Sequence, residues 1–403
     1  MPTAAGKGFH VAARIRRYPD VSGESVPRGC HSAAGGDRWG EASTKGSTAM
    51  KCTVRGAVMV ALAIGAVLGG AEPAAAQNRL RSLLKRPLPK AFNGPPPVAT
   101  DSTFVPGSGT VVEAIGDDFE DEKWSWNYRH PKSSEEQDKR IREPVGRSVN
   151  GRWFEGMKRG TPDVVKRVPL PSPGLEGSEH GLLIASLNTG IPGRPSYKME
   201  QDDLIYNMQR NFGQGIRVSN SPSVVARVYL PPMDQWEKRS GPTFGFRAGC
   251  YTHAVITGED HPEKGRFGLE EYWPGMFICY ETAAESKSKE EGAYLKVRGG
   301  RNGGEIRGPQ MTEMGWWTLG LSFTPDGQVH YYASPGVDDL TADDHITSQF
   351  PYNYRTETLK TFFFNVCTKD DGKTWSTPWV VDDPKVYVVQ PLPVARAKTT
   401  TTR

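Results

Sequence analysis

The chain has 403 residues, 36% of them hydrophobic, with 45 glycines and 32 prolines. That Gly and Pro load favours many turns over long helices, and the length allows one large β domain or two ordinary ones. Fifty basic and 46 acidic residues leave a formal net charge of +4, a near balance that gives no ground for a nucleic-acid partner.

Residues 1–49 are rich in Gly, Ala, Ser and Arg and show no apolar periodicity. They read as a disordered or mis-called extension ahead of a true start at Met50. From Met50 the chain reads MKCTVRGAVMVALAIGAVLGGAEPAAAQ. Lys51 and Arg55 form a basic opening, Ala57 to Leu68 an apolar run, and Ala74-Ala75-Ala76 a small-residue cleavage site. Residues 50–76 therefore read as a bacterial-type signal peptide, too short for a permanent membrane span, with an N-terminal anchor as the alternative. Export places the mature protein outside the cell, in the periplasm or in the envelope. Of five cysteines, Cys250, Cys279 and Cys367 lie beyond the cleavage point. Two readings stay open for them: one bridge, Cys250–Cys279, or three buried thiols.

Residues 77–108 are basic and Pro-rich and read as a linker. The folded part spans 109–390, and 391–403 read as a disordered tail. Within it, short apolar runs alternate with turn signals: GLLIASL, SVVARVYL, TFGFRAGCY, GMFICYE, AYLKVRG, WWTLGLSF, VHYYAS, TFFFNVC and KVYVV. Thr324 to Gly327 joins two of them as a tight hairpin, since Asp-Gly tolerates positive φ. Many strands without intervening helices predict an antiparallel sandwich or barrel. Two stretches break the rhythm, the charged Arg129 to Arg147 and the Pro-containing Asn150 to His180. Loops of that length are often functional.

Near the end, TKDDGKTWS (368–376) resembles the Asp-box of sialidases and related β-propellers. There an Asp bonds backbone amides across a hairpin, Gly takes the turn and Trp packs underneath, roles matched by Asp370, Gly372 and Trp375. A propeller repeats the box once per blade, and no second copy exists here, so the stretch predicts a structural hairpin.

A broader resemblance rests on DDFED near the start, GWWTLGLSFTPDGQVHYYAS in the middle and WVVDDPKVYV near the end. Together these resemble concanavalin A-like lectin/glucanase sandwiches. In that superfamily the first and last strands commonly lie side by side. A hairpin there carries a Trp, an Asp-Gly turn and an aromatic strand, places filled here by Trp316 and Trp317, Asp326-Gly327, and Tyr331-Tyr332. The resemblance implies an all-β fold, an antiparallel two-sheet jelly-roll β-sandwich. The Glu-x-Asp-x-Glu strand of the glucanases is absent, and no strand offers the carboxylate pair, roughly 5 Å apart, of a retaining hydrolase.

Strand alternation sorts the side chains. Phe244, Phe246, Leu295, Val297, Trp317, Leu319, Leu321, Phe323, Phe362, Phe364 and Val366 form the predicted inner layer. The opposite set is basic and aromatic: Arg227, Arg247, Tyr294, Lys296, Arg298, Trp316, His330 and Tyr332. If those strands share one sheet, this set lines one surface suited to an acidic polysaccharide, with Arg forks for carboxylates and aromatic rings for sugars. A solvated outer face is the plainer alternative.

Polysaccharide lyases on this type of sandwich use a Tyr or His to remove the proton beside a uronate carboxylate. His253, Tyr280, Arg227 and His330 are the candidates for such roles. Asp117, Asp118 and Glu120 at one terminus and Asp382 and Asp383 at the other approach each other if the terminal strands pair. Asp118, Glu120 and Asp383 are then candidate Ca2+ ligands, against turn chemistry at strand ends. The reading favoured by the sequence is an exported glycan-binding sandwich without obvious catalytic machinery. A polysaccharide lyase or glycoside hydrolase is one alternative, and a structural envelope protein without a small ligand another.

Overall fold

The structure, a computed structural model, describes residues 105–256 and 265–390. The segments expected to be an extension, a signal peptide, most of a linker and a tail lie outside the described residues. Among the described residues no helix is long and apolar enough to cross a membrane.

In chain order the strands are β1 (Thr110–Gly116), β2 (Trp126–Asn127), β3 (Arg147–Ser148), β4 (Trp153–Glu155), β5 (Val164–Pro169) and β6 (His180–Ala185). They continue with β7 (Glu200–Asn207), β8 (Ile216–Arg217), β9 (Pro222–Leu230), β10 (Gly241–Val255), β11 (Phe267–Tyr272) and β12 (Gly275–Glu281). The last are β13 (Gly292–Arg298), β14 (Glu305–Met311), β15 (Gly315–Phe323), β16 (Val329–Pro335), β17 (His345–Gln349), β18 (Thr358–Thr368) and β19 (Trp379–Val388). Two one-turn helices, α1 (Glu135–Asp138) and α2 (Met208–Phe212), interrupt them.

The strands form two sheets. The first has the order β17-β16-β15-β9-β19-β6-β5, with β1 also on β19; the second runs β14-β13-β12-β10-β18-β7-β4-β3-β2, with β11 on β10 and β8 on β18. Neighbouring strands pair antiparallel throughout. This is the antiparallel two-sheet jelly-roll sandwich implied by the sequence. First and last strands lie side by side, Thr110 opposite Val388, as in concanavalin A-like folds. All nine apolar runs are strands. The strands without such a run escaped notice, above all β7, whose Glu-Gln-Asp-Asp opening looks like loop.

Alternation fills the space between the sheets. Every predicted inner-layer residue is in the main hydrophobic cluster. Trp379 of the first sheet meets Phe244 of the second at 5.0 Å between ring centres, and Phe244 stacks on Phe364 at 5.7 Å. Each such buried ring contributes about 1.5–3 kcal/mol through burial, so the aromatic seam is a main source of sheet-to-sheet cohesion. Cys250 sits in this core, while Cys279 packs on the opposite face of its sheet with Phe277 and Tyr294. All three described cysteines are buried and unbridged. Burial pushes the Cys279 and Cys367 thiols up to about 12.

The Thr324 to Gly327 turn closes the β15–β16 hairpin as expected. Gly327 donates to the Thr324 carbonyl at 2.8 Å and has φ +84°. The Asp-box stretch is different. It links β18 of the second sheet to β19 of the first, so it is a crossover between layers and not a hairpin. Asp370 does perform the amide-binding role, accepting from the backbone of Thr189 at 3.2 Å and of Ser196 at 2.7 Å. Trp375 does not pack underneath; it is 48% exposed. The interior position belongs to Trp379, four residues on, because that is where the chain enters the first sheet. Val105 and Pro106, assigned by sequence to the linker, are buried.

Candidate functional site

The second sheet carries a groove of about 350 Å3 on its outward face. Its floor is built by alternate residues of four strands. Asp203 and Ile205 come from β7, Phe363 and Thr361 from β18, Arg247 from β10 and Arg298 from β13. One further floor residue is placed by an irregularity. Between β10 and β18 the register runs Gly249 opposite Thr361 but Cys250 opposite Leu359, leaving Lys360 as an extra residue. A bulge re-aims side chains, and here both Lys360 and Thr361 face the groove. The walls are the two stretches that interrupt the strand rhythm: Glu135 and Glu136 of α1, and Gly156 to Arg159 after β4.

Arg247 lies at the centre of the chemistry. It is 6% exposed, its guanidinium 5.2 Å from the Phe363 ring and 5.4 Å from the Phe277 ring. Its Nη2 donates to the Trp273 carbonyl at 2.8 Å, and its Nε has no hydrogen-bond partner among the described residues. Burial, and then the charge of Arg298, lower its pKa to about 10. Gly275 stands opposite Arg247 on β12, where a Cβ would come within 2.4 Å of the Arg247 Cγ. Only a hydrogen at that position leaves room for the guanidinium stem.

The other charges are largely matched. Asp203, buried in the sheet face, accepts from Asn365 Nδ2 at 2.6 Å and Gln201 Nε2 at 3.0 Å; burial pushes its carboxyl upward against the pull of Arg159 and Arg247. Lys360 donates to the Tyr251 hydroxyl and to Glu271 at 3.2 Å. Burial opposes its charge, but those two partners hold its pKa above the usual lysine value. Arg159 pairs with Glu136, and Lys158 lies 4.1 Å over the Trp273 ring. Such a site can hold an anion by charge-assisted hydrogen bonds and sugar rings by aromatic contact.

The set predicted to line one surface is divided between the two sheets. Arg247 and Arg298 reach the groove. Tyr294 and Lys296 share the outward face of β13 but lie aside from it, Lys296 pairing with Glu305 at 3.0 Å and Tyr294 under Arg307. Arg227, Trp316, His330 and Tyr332 belong to the first sheet, on the far side of the molecule's core. There they are covered by loops. Arg227 bonds Asp383, Asp339 and the Val337 carbonyl, and Trp316 bonds the Pro171 carbonyl. His330 contacts Ser348 at 2.7 Å and Thr324 at 3.0 Å, and Tyr332 packs on Val105 and Leu340. Alternation correctly separates inward from outward, but it is blind to which sheet a strand joins. A second hollow of about 370 Å3 beside Trp316 and Tyr229 has no cation among its lining residues.

The lyase candidates also disperse. Tyr280 is in the core, and His253 pairs with Glu357 at 2.7 Å outside the groove lining. The candidate calcium ligands are engaged elsewhere. Glu120 accepts from the Glu179 and His180 backbone and the Ser178 hydroxyl, Asp383 pairs with Arg227 and Lys385, and Asp118 accepts from the Glu120 amide. Among the described residues no three His, Cys, Asp or Glu side chains gather as a metal site. Sequence reasoning missed Asp203, Glu271, Trp273 and Lys360. The two interruptions of the strand rhythm, Arg129 to Arg147 and Asn150 to His180, the latter holding Lys158 and Arg159, were the available signal.

No family model matches the chain, and no curated protein matches it in sequence. Among solved structures it is similar to an alginate lyase from Pseudomonas aeruginosa, at 7% identity over 52% of this chain and 82% of that one, with a TM-score of 0.32. It is similar to lectin II from Ulex europaeus, at 6% identity over 56% and 99%, TM-score 0.31. An endo-β-1,4-glucuronan lyase from the fungus Trichoderma reesei gives 14% identity over 56% and 91%, TM-score 0.30. The fold class rests on the strand order of the two sheets: the chain is an antiparallel two-sheet β-sandwich.

Proposed function

We propose that the groove on the second sheet binds an acidic polysaccharide outside the cytoplasm, with a ligand carboxylate on Arg247. The observation that carries this reading is the state of that arginine. A buried guanidinium with a free Nε, a like charge nearby and no carboxylate within ion-pairing distance among the described residues is costly to keep. An incoming carboxylate supplies the missing acceptor and charge together. Trp273, Tyr352 and Phe363 around it offer faces for sugar rings. Retention of the mature protein on immobilised uronic-acid and neutral polysaccharides tests this. Retention is expected only on acidic polymers, with loss in Arg247→Ala. Undiminished retention of that variant sinks the assignment.

A second reading, a polysaccharide lyase, is favoured by one contact. The Tyr251 phenol is held by the Lys360 ammonium, which borders the groove, and a phenol so placed is suited to proton transfer beside a neutralised carboxylate. Absorbance from unsaturated products, abolished in Tyr251→Phe with retention intact, separates enzyme from binder.

A further inference from the structure

Resting on the reading of this groove as an acidic-polysaccharide site, we propose that its ligand is a heteropolymer in which single uronate units are separated by neutral sugars, not a polyuronate or a sulfated chain. The inference comes from how the groove distributes charge. Its described lining holds five cations, Lys158, Arg159, Arg247, Arg298 and Lys360, against four carboxylates, Glu135, Glu136, Asp203 and Glu271, a net excess of one. The cations are not equally available. Arg159 is paired with Glu136, Lys360 with Glu271, and Arg298 shares Glu305 with Lys296. Lys158 rests on an aromatic face. The Nε of Arg298 is also without a hydrogen-bond partner, but Arg298 has Glu305 at 3.5 Å, whereas Arg247 is buried, has an unpartnered Nε and has no carboxylate within ion-pairing distance among the described residues. The groove is therefore built to receive one anionic group.

In the direction of β11, the cations that flank that point are already paired, Lys360 with Glu271 and His253, opposite Leu269, with Glu357, and the rest is uncharged or negative. Along β11, alternate residues on the groove side run Glu271, Leu269, Phe267, a span of ~13 Å at strand spacing. Leu269 is 50% and Phe267 69% exposed, and Val255 stands opposite Phe267 on β10. A ligand seated at Arg247 and running this way meets a carboxylate and then apolar side chains. A polyuronate would set its next carboxylate against them, where like-charge repulsion and desolvation both act against binding. Neutral pyranoses present C–H faces that suit the same surface.

Equilibrium binding of size-matched oligosaccharides tests this. One arm uses chains with one uronate per repeat, such as hyaluronan and gellan fragments; the others use polymannuronate and heparin fragments. The one-uronate repeats are expected to bind at least about tenfold more tightly at equal ionic strength. Their log Kd should vary with log salt with a slope of about one, the signature of a single neutralised charge. Glu271→Gln, which removes the partner of Lys360 and one flanking negative charge, is expected to narrow the gap by strengthening polymannuronate binding. Equal or tighter binding of polymannuronate or heparin, or a salt slope of about three or more, overturns the proposal. If that polyuronate binding disappears in Arg247→Ala, the acidic-polysaccharide reading survives and only the spacing is wrong. Binding in no arm overturns both.

Discussion

Arg247 has a consequence for stability as well as for binding. Replacing a buried, incompletely satisfied charge by an apolar chain of similar length is often neutral or favourable. Arg247→Met is therefore expected to leave the unliganded protein as stable as the parent or more stable, by up to about 2 kcal/mol in denaturant titration, while abolishing ligand retention. A loss above about 2 kcal/mol would mean that the Trp273 carbonyl bond and the nearby Asp203 satisfy the arginine without a ligand. Gly275→Ala probes the same residue from the opposite strand. The added methyl collides with the Arg247 stem and backbone, so ligand binding is expected to weaken by about tenfold or more even though no ligand contact is removed. The arginine itself is legible in TFGFRAGCY as an outward residue. Its burial and lack of a partner are not, since they depend on Phe277, Phe363 and Trp273, all distant or on other strands.

At the scale of elements, the β15–β16 turn is the clearest case of local chemistry fixing geometry. Gly327 combines φ +84° with a backbone approach in which a Cβ would lie 2.8 Å from the Arg355 Cα. Gly327→Ala is expected to cost more than about 1 kcal/mol, read as a lower melting temperature, because both backbone strain and a clash act. The Asp-box is the converse case. Its Asp-Gly chemistry is visible in sequence and Asp370 does anchor two amides, yet those amides belong to the 187–197 loop and not to a hairpin partner. Short motifs specify a hydrogen-bonding habit; the partner is set by the crossover between sheets. The Lys360 bulge is invisible in sequence for the same reason, since an extra residue exists only relative to a paired strand.

Across the whole molecule, the loops over the first sheet create a pH response. His330 is buried with Thr324, Ser348 and His345 around it, and burial followed by the His345 charge lowers its pKa to about 4. Its unfolded value is about 6.5. The unfolded chain therefore binds the proton first, and His330 costs stability progressively as pH falls from about 6.5 towards 4. Relative to His330→Gln, the parent is expected to lose on the order of 2–3 kcal/mol over that window. Parallel pH profiles for the two proteins would contradict it. Asp382 acts with the opposite sign. Burial and the adjacent Asp383 raise its pKa to about 7, so its contribution falls as pH rises from about 4 to 7, and Asp382→Asn is expected to flatten that limb.

The resemblance implied the paired termini; composition, turn residues and apolar alternation by themselves determined the all-β class, nine of the strands and eleven of the inner-layer residues. Those features follow from nearest-neighbour rules: a strand's two faces are fixed by period two, and its ends by Gly, Pro and Asp chemistry. Only the tertiary structure decided which sheet each strand joins. That single choice buried Arg227, Trp316, His330 and Tyr332 under loops on one side and left Arg247 and Arg298 in a groove on the other. Sheet membership is a long-range pairing, set by how far-separated segments share the hydrophobic interior, and no local pattern encodes it.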